Sequence, residues 1–156
     1  MKLAITGLGV VSPVGTGREA FFRALAENDT SRAFAQTPTV VPAAALEGFR
    51  IAEVWDFDPS AYLGPKGHRS FDRLTKLLVV AGKLALEDSG IKADGKFVAY
   101  SPNEVGVCSA TAYGSLEEIT ELNRVAELED PRYINPNRFP NTVINSAAGY
   151  VSIWEE

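Results

Sequence analysis

The chain has little of what catalytic and metal chemistry usually draws on: one cysteine and one histidine in 156 residues. A lone Cys108 excludes an internal disulfide and a metal site built from cysteines alone. His68 has no partner at ligand or acid–base spacing in its own stretch, Lys66-Gly67-His68-Arg69, and reads as a surface residue. No apolar run nears the roughly 20 residues that span a bilayer; the longest pure one, Leu77 to Ala81, is short. There is no Lys/Arg run, and the net charge of −5 weighs against nucleic acid or an anionic membrane as partner. Met1-Lys2-Leu3 leads straight into a strand-like segment, without the charged-then-apolar layout of a leader. Repeats and low-complexity tracts are missing too. With 46% apolar residues to build a core, these features predict a cytoplasmic, mildly acidic protein with one domain over residues 1–156.

What is present alternates between strand and helix patterns. Residues 3–12, LAITGLGVVS, are a mostly apolar, β-branched run that predicts a buried strand, ended by Pro13 and Gly15. Thr16 to Asn28 predicts a helix with Thr16 and Glu19 as a capping box. Residues 29–68 are irregular and hold Pro38, Pro42, Pro59 and Pro65, with a short strand candidate at Arg50–Trp55. Trp55, Phe57, Tyr62 and Leu63 make this a surface excursion that packs on something. Ser70 to Ser89 is the strongest helix: Phe71, Leu74, Leu78, Ala81 and Ala85 recur at steps of three and four, Leu77, Val80 and Leu84 widen the stripe, and Gly90 supplies a stop. Glu104 to Ala110 predicts a second buried strand. Ser115 and Glu118 predict a capping box for a helix whose apolar face is Leu116, Ile119, Leu122 and Ala126. A polar loop over 129–140 precedes a third buried helix, Asn141 to Ile153, whose small residues Ser146 to Gly149 favour close packing. Two strands cannot cover three helices in the usual α/β manner.

The chemistry-bearing candidates are weak individually. Gly7-Leu8-Gly9-Val10-Val11-Ser12 follows a strand like a dinucleotide fingerprint, but Ser12 replaces the third glycine and Pro13 follows, so no helix opens there. The better reading is that the glycines let this segment approach another backbone. Cys108 sits inside the second predicted strand and reads as a buried structural thiol. Glu117 and Glu118 are neighbours on a helix and point about a hundred degrees apart, so they form no acid–base dyad. No triad, metal set or phosphate loop can be assembled; the catalytic, metal and cofactor sets read as empty.

In series, however, the segments resemble one family. LAITGLGVVSPVG at residues 3–15 resembles the opening strand of the β-ketoacyl synthases, the decarboxylative condensing enzymes of fatty acid and polyketide synthesis. Phe71-Asp72-Arg73-Leu74 with Ala85-Leu86-Glu87-Asp88-Ser89-Gly90, then Val105-Gly106-Val107-Cys108-Ser109, then Asn135-Pro136, Phe139-Pro140-Asn141 and Ala147-Ala148-Gly149 resemble its later segments in the same order. The resemblance implies an α/β, incomplete thiolase-like fold, part of the N-terminal αβαβα half, in a protein that works as a dimer. It implies that the nucleophilic cysteine lies in the next strand, beyond Glu156, and the catalytic histidines further still. In that mechanism a thiolate takes the acyl group and the histidines stabilise the thioester oxyanion while malonyl loses carbon dioxide. Cys108 and His68 match none of these groups.

By position, the resemblance puts Tyr113 at the floor of an acyl pocket and Arg138 where a bulky side chain reaches into the partner's pocket; both identities imply a short or polar acyl group. Asn141, Asn145, Ala148 and Gly149 are the expected dimer or packing face. The partners implied are a ketosynthase-type chain, as homo- or heterodimer, and an acyl carrier protein, with no cofactor. Three functions remain open. The first is a portion of a condensing enzyme that is not catalytic by itself and stops before the nucleophile strand. The second is a non-catalytic partner like a chain-length factor. The third is a nucleotide-binding module resting only on Gly7-Leu8-Gly9.

Overall fold

The computed structural model describes residues 2–34, 37, 39 and 43–156. Pro38 and Pro42 of the excursion lie outside the described residues.

The third helix, α3 (Arg73–Asp88), is the axis of the molecule. Asp72 starts it, its carboxylate accepting from the Thr75 amide at 2.8 Å, and Gly90 at φ 70° lets the chain turn off its end. The expected start at Ser70 moves three residues because Asp72 is the better placed cap. No residue from Phe71 to Leu86 is exposed, as the wide apolar stripe predicts. Thr75, Val79 and Val80 are sealed completely.

On one side α3 carries α5 (Ser146–Glu155). Ala147 and Val151 turn inward. The small residue that permits the approach is on the opposite helix from the one expected: a Cβ on Gly82 would lie 3.2 Å from Val151 Cγ1, whereas one on Gly149 would meet nothing within 4 Å. Phe71, just ahead of α3, packs on Tyr150 and Trp154 of α5 with ring centroids 4.6 and 5.7 Å apart. The helix begins at Ser146 rather than Asn141, because residues 136–142 wind as a 3-10 turn.

On another side α3 carries the segment before β1 (Val11–Ser12). The close approach read from Gly7 and Gly9 is present, and the backbone approached is a helix. A Cβ on Gly9 would overlap the Ala81 carbonyl oxygen and lie 2.7 Å from the Ala85 nitrogen; one on Gly7 would sit 2.5 Å from both the Ala85 oxygen and the Ser89 nitrogen. The Leu8 amide adds a 2.9 Å hydrogen bond to Asp88, whose other oxygen holds Arg18 at 2.6 Å.

The predicted buried strands are corrected. Only Val11–Ser12 pairs, in a tight hairpin with β2 (Gly15–Thr16). Residues 3–10 are without a ladder partner among the described residues, and Leu3 and Ile5 are each 85% exposed. Residues 105–110 and 50–55 likewise form no ladder, and Val107 is exposed. A strand is buried by the strands beside it, and the apolar pattern reports the preference without supplying the neighbour.

The second hairpin, β3 (Lys92–Ala93) with β4 (Lys96–Phe97), turns through Asp94 and Gly95, both at positive φ. Asp-Gly is the residue pair a two-residue turn of this hand favours. Lys92 reaches from it to the end of α5, donating to the Glu155 carbonyl at 2.5 Å and its carboxylate at 2.8 Å in a buried site.

α1 (Arg18–Glu27) closes on Asn28 in the left-handed region, but the Thr16/Glu19 box does not form; Gly17 is the cap residue and supplies no side chain. The excursion does pack: Leu63, at the end of α2 (Ser60–Leu63), is buried in the core, and Phe57 and Tyr62, 6.4 Å apart, lie against it. Trp55 donates to the Arg32 carbonyl, and Arg73 of α3 to the Val54 carbonyl.

Gly9→Ala is expected to destabilise by about 3 kcal/mol or more, the upper end for overpacking, because the obstacle is helix backbone. Gly106→Ala, whose Cβ would meet nothing, is the control. Urea unfolding of the two variants measures the difference. Lys92→Met should cost about 3–5 kcal/mol by the same measurement, since it strands the buried Glu155 carboxylate, one oxygen of which already has no partner.

Candidate functional site

Of the two expected pocket residues, Arg138 lies on the 3-10 turn Pro136–Thr142, which packs beside α4 (Leu116–Leu128), and Tyr113 lies in the loop that precedes α4. Ser115 does not cap α4 with its side chain; its hydroxyl donates instead to the Val143 carbonyl at 3.4 Å. Glu118, the other half of the expected box, is turned away and buried at 4% exposure. Both its carboxylate oxygens are taken by Arg138, Nε to Oε2 at 2.8 Å and Nη2 to Oε1 at 2.7 Å. This bidentate pairing raises the Arg138 pKa, with Glu121 and Glu117 adding more distant attraction. Glu117 points to solvent, as its helical phase requires.

Arg138 lines two hollows. One is an open concavity of about 550 Å³ with Leu116, Glu117, Thr120 and Glu121. The other, about 450 Å³, runs to the start of α3 and includes Arg69, Lys76, Asn135 and Asn137. Glu121 is itself held by Arg124 at 2.8 Å, which pulls its carboxyl below the ordinary carboxylate range.

Tyr113 stands 80% exposed on the 111–114 turn, where Gly114 at φ 56° donates to Thr111 Oγ1. Tyr113 is not among the residues that line either hollow of Arg138. Among the expected packing-face residues, Asn141 is buried at 2% and donates to the Ser70 carbonyl at 2.7 Å, tying the 3-10 turn to the start of α3. Asn145 and Gly149 are exposed and Ala148 is half-buried.

Two residues are corrected. Cys108 is exposed, because the segment holding it has no neighbouring strand among the described residues to cover it. His68 is half-buried rather than on the surface: its Nε2 lies 2.9 Å from the Gly64 carbonyl and its ring meets Trp154 edge-on at 6.2 Å. Among the described residues no group of three His, Cys, Asp or Glu could hold a metal, and no helix is long and apolar enough to cross a membrane. The Glu118–Arg138 grip is the feature sequence reasoning missed, because it joins residues 20 apart. The only local signal was a capping glutamate followed by an arginine in a loop.

The geometry also has a counterpart among solved structures. A protein described as the ishigamide ketosynthase/chain length factor superposes with a TM-score of 0.70 at 32% identity, over 96% of this chain and 40% of that one. The fold is therefore part of the thiolase-like ketosynthase architecture, with mixed helices and few strands. Residues 1–155 match the family described as Beta-ketoacyl synthase, N-terminal domain, and the chain belongs to that family. It is 30% identical to 3-oxoacyl-[acyl-carrier-protein] synthase 2 of Vibrio harveyi over 97% of this chain and 35% of the relative. It is 36% identical to the tetracenomycin polyketide synthase ketoacyl synthase alpha subunit of Streptomyces glaucescens over 81% of this chain and 28% of the relative. The chain thus spans about a third of the length of the curated relatives it matches.

Arg138→Ala leaves a carboxylate buried without its partner, a change that costs about 3–5 kcal/mol at fully buried pairs. Because Arg138 keeps its outer side toward solvent, about 2 kcal/mol is expected here. The double change Glu118→Leu with Arg138→Ala should recover much of that loss in thermal or urea unfolding.

Proposed function

We propose that this chain is the N-terminal portion of a decarboxylative condensing enzyme of fatty acid or polyketide synthesis, joining an acyl group to a malonyl unit on acyl carrier protein. On this reading it contributes pocket and pairing surface, and the thiolate and histidines of the reaction are not its own. The observation that carries the reading is the family match over residues 1–155, supported by relatives from both fatty acid and polyketide synthesis. The chain's own candidates are not paired for a catalytic role: His68 Nε2 is engaged by the Gly64 carbonyl, and Cys108 is a free, exposed cysteine with no hydrogen-bonded basic group among the described residues. Its partner is a ketosynthase-type chain, met through the face bearing Asn145, Ala148 and Gly149, in the cytoplasm. A second reading, a non-catalytic partner like a chain-length factor, is favoured by the description of the solved neighbour.

Two measurements test this. The purified chain, incubated with acetyl- and malonyl-loaded acyl carrier protein, should yield no β-ketoacyl product by mass spectrometry; product formation overturns the non-catalytic reading. Affinity purification from the source cell should recover a ketosynthase-type chain or acyl carrier protein, and recovery of neither counts against the pairing. Gly149→Leu should abolish that recovery while leaving the chain's own unfolding nearly unchanged, because position 149 is exposed and a Cβ there meets nothing within 4 Å. Sequencing downstream of the Glu156 codon separates the two readings: an in-frame strand with its cysteine supports the first, a separate complete synthase frame the second.

A further inference from the structure

We draw no further inference here: the strongest candidate, the hollow of about 240 Å³ between the β3–β4 hairpin, residues 102–107 and the end of α5, is lined by the buried Glu155, but the carboxylate oxygen of Glu155 that lacks a partner is sealed from solvent and offers no acceptor to a ligand, and nothing in the structure shows what covers the apolar wall of Phe97, Val105 and Val107.

Discussion

The structure depends on how closely two other parts of the chain can come to α3. On one side the segment carrying Gly7 and Gly9 lies against helix backbone with no room for a side chain. On the other, Gly82 lets Val151 of α5 settle into the helix surface. Close backbone approach maximises dispersion contacts and excludes water, and interiors packed this densely tolerate little added volume. The polar links follow from the same arrangement. Asp88 gathers Leu8 and Arg18 at one end of α3, while Arg73 and Asn141 tie the excursion and the 3-10 turn to the other.

The sequence made this axis legible because a helix advertises itself locally. The three- and four-residue recurrence from Phe71 to Ala85 and the glycine after Ser89 need no distant partner to be read. The glycine pair at 7 and 9 was legible as a close approach, though its target was not. Capping boxes were less reliable. Thr16 lost its place to Gly17, and Glu118 was drawn off by an arginine 20 residues later. The propensity for a cap is worth about 1 kcal/mol, so a charged bidentate pairing can override it. The Asp94-Gly95 pair is a turn signal in the sequence, but the two-residue strands it joins are too short to make a periodic pattern.

The extended segments show the opposite limit. Their apolar residues identify them as strand-like, but a strand's burial is a property of the whole sheet. Without neighbours, Leu3, Ile5 and Val107 face outward and Cys108 with them. The family resemblance was legible in the order of several short segments, none specific alone. The match over residues 1–155 and the superposition on a ketosynthase/chain length factor agree with that order. The residues of the candidate site were legible only as positions, and the carboxylate that fixes Arg138 could be found only in three dimensions.

This division between helix and extended segment also separates the origins of stability and of recognition. A helix satisfies its own backbone hydrogen bonds, so α3 and α5 need only each other's apolar faces to be buried. An extended segment satisfies none of its own, and its amides and carbonyls must bond to water or to another strand. The interior of this chain is therefore helical, with Val79, Val80 and Val151 at its centre, while its unspent bonding capacity lies along residues 3–10 and 105–110. The Glu118–Arg138 pair stands between these regimes. Its carboxylate belongs to the buried interior and its guanidinium reaches the surface, so a charge at the surface is oriented by a group held in the packed interior.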